Sequence, residues 1–404
     1  MQLADVDVLD PDNFVNGPPH DAFRLLRTEA PVFWQENAHG GEGFWVLSRY
    51  KDVWKVSLDQ ATFSSAKRGT ILRNWSQEEF EATQNLLINM DPPRHTKYRR
   101  LVNLGFSPKI VNRLVPHVRE MTNRIIDAVA ARGTCDFVTD IAAELPLQVI
   151  VELMGVPLED RRMIFEWSNT MIGFDDPQYQ TAPDIGQLAA MQVYMYAQQI
   201  ADQRRKEPKD DLVSVLLQGE VEGEKLSEAD FNSFFLLLLV AGNETTRNTI
   251  SGGMLALLEH PEQRDRLLAN PALIDTAVDE IVRWVSPVQV FVRTATRDTE
   301  VHGVPIRENE RLTLWYGSAN RDEEIFPDGH RFDVGRTPND HLGFGIGPHF
   351  CLGSNLARLE IRILFEELLR RLPDIELAGQ VERLRSYFIS GIKTMPVRFT
   401  PRPA

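Results

Sequence analysis

Two cysteines, Cys135 and Cys351, occur in this chain of 404 residues, and Cys351 stands in the more unusual surroundings. The stretch HLGFGIGPHFCLGSNLARLE, from His341 to Glu360, alternates Gly343, Gly345 and Gly347 with other residues before the cysteine. A helical pattern follows it directly. Glycine lets a backbone turn tightly and approach a ligand without a Cβ in the way. Amide N–H groups and the dipole at a helix start favour a thiolate. The expectation is a buried, stabilised thiolate facing something across the loop. Two cysteines cannot supply a four-cysteine zinc site or an iron–sulfur cluster, and no CxxCH is present for covalent haem attachment. A disulfide between them is not expected.

Other polar residues sit where a core would prefer apolar ones. Ser227 to Glu259 reads as one long helix, opened by a capping box of Ser227 and Asp230 and densely apolar in its first half. Gly242, Glu244, Thr245 and Thr246 interrupt that apolar run, and such local violations gather at functional sites. The competing reading pairs Glu244 with Arg247 or Asn248 and lets the threonines bond back to the helix. Glu280 and Arg283, three apart on a helix with Ile281, Val282 and Val285, can pair on one buried face, and Phe332 and Arg336 can complete a network there. His95 and Arg99 share a helical face, Arg293 lies in a strand-like run, and His349 is two residues before Cys351. These four are either surface cations or the partners of two carboxylates on a bound molecule.

The elements that must position these residues are mostly helical. Amphipathic segments run at 94–106, 108–131, 138–154, 159–171, 187–206, 211–219 and 227–259, with breakers at Gly155, Pro157, Pro177, Pro183 and Pro208. Further helices follow at 261–269 and 272–285. Strand-like pieces lie near 30–50, 288–317 and 380–400, and residues 60–91 read as a long irregular connection. The fold class is mainly α with a smaller β-rich region, expected as one domain over 1–404. A net charge of −14 argues against nucleic-acid binding. The N-terminus lacks a signal-peptide pattern and no apolar run is long enough for a membrane anchor, so a cytoplasmic location is expected.

Phe344-Gly345-Ile346-Gly347-Pro348-His349-Phe350-Cys351-Leu352-Gly353 resembles the haem-ligand loop of the cytochrome P-450 haem-thiolate monooxygenases. AGNETT (241–246), EIVR (280–283) and RHTKYRR (94–100) resemble that family's oxygen-activating stretch, its E-x-x-R and its H-x-x-x-R helix, in the same order. The resemblance implies the cytochrome P-450 fold and a haem b whose axial ligand is Cys351, with dioxygen as co-substrate. It implies that His95, Arg99, Arg293 and His349 hold the propionates, and that Ala241, Gly242 and Phe344 lie against the macrocycle. Glu244 and Thr245 match the acid–alcohol pair that relays protons, with Glu where several relatives carry Asp. Glu280, Arg283 and Arg336 would be structural.

No GxGxxG stands in a strand–turn–helix context, so electrons are expected from a separate ferredoxin and ferredoxin reductase. Arg94, Lys97, Arg100, Arg113 and Arg358 are the candidate docking cations. The resemblance assigns substrate contacts to Ile88, Ile172, Phe174, Val240, Val288, Val290 and Phe291, with the tail Phe388-Ile389-Ser390-Gly391. INMDPPRHTKYRRLV, ELPLQVIVELMGVP, AGNETTRNTISGGM and RLRSYFISGIKTMPV look closest to the actinobacterial branch that hydroxylates sterol side chains and methyl-branched lipids. Terminal hydroxylation of such a lipid is the expected reaction, with a terpenoid as the alternative substrate. Two readings from other classes are a haem-binding sensor and a haem-free thiol hydrolase using Cys351 and His349.

Overall fold

The computed structural model describes residues 1–37, 41–73, 76–182, 184–221 and 223–402. Most of that length is helical, and the elements that matter for the site are α1 (Arg94–Asn103), α2 (Arg161–Ile172), α3 (Glu228–Glu259), α4 (Ile274–Val285) and α5 (Ser354–Arg371). A mixed sheet is built from β1 (Val32–Gln35), β2 (Phe44–Leu47), β3 (Phe63–Ser64), β4 (Val290–Ala295) and β5 (Arg311–Trp315) in the order β1-β2-β5-β4-β3. Only the β2–β5 pairing is parallel. The antiparallel β4–β5 register sets Arg293 opposite Leu312.

α3 is the axis of the helical part. Ser227 caps it, its side chain accepting from the Asp230 N–H at 3.1 Å, as the S-x-x-D pattern predicts. Phe231, Phe234, Phe235, Leu238 and Leu239 are buried on its first three turns and join a core shared with α4, α5 and the helix Glu144–Leu153. Burial on most sides explains why the helix keeps going through residues of indifferent propensity. A second core cluster lies between the N-terminal segment, the sheet and the Leu384–Ile389 stretch, and a third under the other face of the sheet.

Two expectations needed revision. The 108–131 helix is two helices, Pro108–Arg113 and Val115–Ala130, because Pro116 has no N–H to continue the first and starts the second in its opening turn. The 60–91 connection is not wholly irregular: it holds β3, a helix at Gln77–Thr83 and a 3-10 turn at Leu87–Asn89. Ser76 and Glu79 form a reciprocal capping box on that exposed helix, a pattern legible in the sequence. Within that connection Asn74 and Trp75 lie outside the described residues, as does the expected breaker Pro183.

Candidate functional site

The loop before α5 doubles back on itself, the Cys351 N–H donating to the Phe344 carbonyl at 2.8 Å. Gly345 and Gly347 have φ of +67° and +73°, the left-handed region that side chains rarely adopt. At Gly347 a Cβ would also stand 2.9 Å from the Leu58 side chain and 3.2 Å from the Ser57 carbonyl. Spacing alone could not reveal that second constraint. The Phe344 ring lies 4.4 Å beneath the Arg358 guanidinium, and Arg358 donates to Asp279 at 2.8 Å.

Cys351 does not carry a stabilised thiolate by itself. Burial pushes its pKa up, against the weaker opposing pull of the Gly353 N–H, Arg99 and Arg358. The helix begins only at Ser354, so helix-start stabilisation reaches the sulfur through one amide. A thiol held this way ionises when a metal takes the proton's place. Cys135, in the strand Thr134–Asp136, is pushed up to about 12 by burial, and both cysteines are free.

Four residues from three separate stretches converge beside this loop: His95 and Arg99 from α1, Arg293 from β4 and His349 from the loop itself. The His95 and His349 rings lie 4.2 Å apart, and His349 Nε2 meets the Ser65 hydroxyl at 3.2 Å. Arg99 on α1 donates to the Phe350 carbonyl at 2.6 Å. Arg293 on β4 is 2 % exposed and donates from Nη1 to the Val292 carbonyl at 2.8 Å. Burial and these neighbouring cations hold His95 down to about 4 and His349 to about 2. Both ring nitrogens of His95 and Nε of Arg293 are buried with no hydrogen-bond partner. Asp91, the nearest carboxylate, is committed to the Ser65 N–H at 2.8 Å and the Ser64 hydroxyl at 2.5 Å. Sequence reasoning missed Asp91; its place before Pro92-Pro93 and α1 was the available signal.

On α3 the competing reading describes the contacts made. Glu244 accepts from Arg247 Nη2 at 2.5 Å, and Arg247 Nη1 donates to Asn169 of α2 at 2.7 Å. Burial raises the Glu244 pKa, and Arg247 opposes it. The Thr245 hydroxyl donates to the Ala241 carbonyl at 2.7 Å. Ala241 is exposed and Gly242 and Thr245 half-buried, whereas Leu239, Val240, Asn243 and Glu244 around them are buried. One narrow stripe of the helix is therefore open. Asn169 carried no local signal in the sequence, since only the packing of α2 on α3 brings it there.

Glu280 and Arg283 pair face to face at 2.7 and 2.8 Å, and neither side chain is exposed. Arg336 donates to the same carboxylate at 3.1 Å, Asn339 at 3.2 Å and the Asp333 N–H at 2.9 Å. Phe332 packs on Trp284 and His260 beside it. Of the apolar candidates, Ile172, Phe174, Val288, Val290, Phe291, Phe388 and Ile389 come together in the second core cluster. Ile88 is half-buried and Val240 buried, and neither belongs to that cluster. Among the docking cations, Arg94 is bound to Asp230 and Arg358 to Asp279, while Arg100 and Arg113 are exposed.

A family model described as cytochrome P450 matches residues 147–376, over half of the chain. The chain belongs to the cytochrome P450 family. It is a monooxygenase whose cofactor is haem held through a cysteine thiolate, with dioxygen as co-substrate. A steroid C26-monooxygenase of Rhodococcus jostii (strain RHA1) is 45% identical over 402 residues, covering 97% of this chain and 84% of that protein. A methyl-branched lipid omega-hydroxylase of Mycobacterium tuberculosis (strain ATCC 25618 / H37Rv) is 44% identical over 389 residues, 94% of this chain and 90% of the relative. A Mycobacterium marinum cytochrome P450 solved in complex with pseudoionone superposes with a TM-score of 0.90 at 38% identity, covering 94% of each chain. The P450 cofactor carries two carboxylates, and the unpartnered nitrogens of His95 and Arg293 fit such a group. Among the described residues, no helix is long and apolar enough to cross a membrane.

Proposed function

We propose that this P450 hydroxylates the terminal methyl of a sterol side chain or of a methyl-branched lipid, and that Cys351 would supply the thiolate that holds the haem. The observation that carries the site assignment is the convergence of His95, Arg99, Arg293 and His349 beside the Cys351 loop with buried donors left unpaired. The substrate class rests on the whole-length likeness to the steroid and branched-lipid hydroxylases together with the apolar cluster of Ile172, Phe174, Val288, Val290 and Phe291. Ile88 and Val240 are assigned to the same pocket, outside that cluster. Residues 1–404 are read as one domain, in the cytoplasm.

When bound, haem supplies the iron at which dioxygen is reduced and one oxygen atom enters a C–H bond. The protein's part is positioning and proton supply. Arg293, Arg99 and the two imidazoles would hold the carboxylates of the cofactor, which would offset the cost of keeping a guanidinium buried. Phe344, Ala241 and Gly242 would flank the cofactor, with Ala241 adding little bulk to the open stripe of α3. Thr245 holds a proton at Oγ1, and Glu244, raised by burial, can hold one at its carboxyl and pass it on after turning from Arg247. Glu280, Arg283 and Arg336 keep the loop's scaffold rigid. Replacing Thr245 by Ala is expected to divert most electrons to peroxide at unchanged substrate affinity; unchanged coupling counts against the relay.

Electrons are assigned to a ferredoxin with its reductase, docking on Arg100, Arg113 and Lys97 near the cysteine side. Arg100→Glu with Arg113→Glu should weaken ferredoxin-supported turnover and spare peroxide-supported turnover; equal loss in both sinks the docking surface. The principal experiment is a spectral titration of the purified protein. The reduced carbon-monoxide complex reads thiolate ligation, and Cys351→Ala must abolish it. A ferric spin-state shift should follow sterols and branched lipids; a shift with terpenoids alone overturns the substrate assignment. That alternative is kept because the neighbour that superposes at a TM-score of 0.90 was solved with pseudoionone.

A further inference from the structure

A cavity of about 340 Å³ opens beside the second core cluster, and charged side chains interrupt its largely apolar lining. Arg73, Asp175 and Arg385 face it together with Leu9, Leu72 and Tyr387. The Tyr387 hydroxyl is already used, donating to the Leu72 carbonyl at 2.6 Å. Arg385 donates to the Asp12 carboxylate and, from Nη1, to the Asp175 carbonyl at 2.6 Å. Oδ2 of Asp175 is buried and has no hydrogen-bond partner. Burial pushes the Asp175 carboxyl up to about 7, against the pull of Arg385, Arg73 and the Ser386 hydroxyl. An unpartnered buried oxygen in a cavity is costly unless something meets it.

Position gives the cavity a meaning. Phe174, the residue before Asp175, stacks toward Phe388 at 6.0 Å, and Phe388 meets Phe291 at 5.9 Å. Phe291 is on β4, the strand that carries Arg293. At the other end Arg73 lies 5.7 Å from the Phe174 ring centre. A continuous aromatic strip thus runs from the strand of the cofactor-side cation to this cavity. An elongated lipid laid along this strip has its oxidised end on β4's side and its far end among Arg73, Asp175 and Arg385.

We propose that this cavity binds the polar end of the substrate, an uncharged hydroxyl or ketone oxygen, and so selects lipids oxygenated at the end opposite to the carbon that is hydroxylated. The inference rests on the lipid reading above and narrows it. Charge balance favours an uncharged group: the arginines Arg73 and Arg385 are offset by Asp12 and Asp175. A carboxylate end would have to sit against Asp175, and an ammonium end against the arginines. A hydroxyl can donate to Asp175 Oδ2, and a ketone can accept from an arginine.

The test uses the haem-loaded protein and the ferric spin-state titration with a 3-hydroxysterol, the same sterol skeleton lacking that oxygen, and a branched-chain carboxylate. Wild type should bind the hydroxysterol about tenfold more tightly than the deoxy compound. Asp175→Ala should erase that preference by weakening the hydroxysterol alone, and Asp175→Asn, which keeps an uncharged hydrogen-bonding group, should retain most of it. Equal affinity of wild type for the oxygenated and deoxy compounds overturns the proposal whatever the variants do. So does a carboxylate that binds best and tightens in Asp175→Ala, which would mark an anionic end. If no lipid of the three shifts the wild-type spectrum, the lipid reading itself fails, and this narrower one with it.

Discussion

The molecule buries cationic side chains in two ways, and the contrast separates scaffold from site. The Glu280–Arg283 pair itself is fully answered: Arg283 donates twice to the Glu280 carboxylate and also to the carbonyls of Asn320 at 2.6 Å and Gly329 at 2.9 Å. Around Cys351 the reverse holds. Arg293 is buried like Arg283, yet its Nε has no partner and its Nη1 donates to the carbonyl of the preceding residue. A folded chain tolerates an unanswered buried charge only where something else supplies the answer. The Glu280–Arg283 pair is complete as protein, whereas on the proposed reading the second region would be completed by its cofactor.

The strongest way to break the comparison is to remove one partner from the complete network. Arg283→Ala leaves Glu280 charged and buried and opens a space under Trp284 and Phe326, whose rings lie 5.9 and 5.4 Å from the guanidinium. Loss of one partner from a buried pair costs about 3–5 kcal/mol. The expected outcome is little folded protein, with or without haem, in a denaturant titration followed by far-UV dichroism. Near-normal stability would place Arg283 among the dispensable pairs.

Arg293→Met should do the opposite in the cofactor-free protein. It replaces an undercompensated cation by a flexible apolar chain of similar length, so apoprotein stability should hold or rise by about 1–3 kcal/mol. Haem retention should fall at the same time. If the variant destabilises the apoprotein as Arg283→Ala does, Arg293 is scaffold and the distinction between the two regions collapses.

Much of this contrast was legible in the sequence and part of it was not. The E-x-x-R spacing, with apolar neighbours on the same helix, pointed to the buried Glu280–Arg283 pair, and HRFDVGR to its completion by Arg336. The residue types at His95, Arg99, Arg293 and His349 were legible too, but spacing left them equally readable as surface cations. They come from α1, β4 and the Cys351 loop, and their meeting is a property of tertiary packing. The same limit hid Asn169, which reaches Arg247 across two helices. A one-letter string shows i, i+3 pairs and capping boxes, because local geometry fixes them. It does not show which buried nitrogen lacks a partner. At Cys351 the helix-start stabilisation is local and visible in the sequence, whereas the opposing desolvation depends on everything packed around the sulfur.

The mildest test uses pH. His95 titrates near its ordinary 6.5 in the unfolded chain and is held to about 4 in the folded one by burial and by Arg99 and Arg293. The unfolded state therefore takes up a proton first as pH falls. The stability tied to a neutral His95 is intact above pH 6.5 and is lost as pH drops from there through about 4. Apoprotein melting temperatures should fall across that window, and His95→Gln should flatten the slope. The haem-loaded protein should show a shallower slope than the apoprotein, because carboxylates beside His95 raise its folded pKa toward the unfolded value. Parallel slopes for the loaded and cofactor-free forms would mean that His95 meets no carboxylate, and would remove it from the propionate set while leaving Arg293 in place.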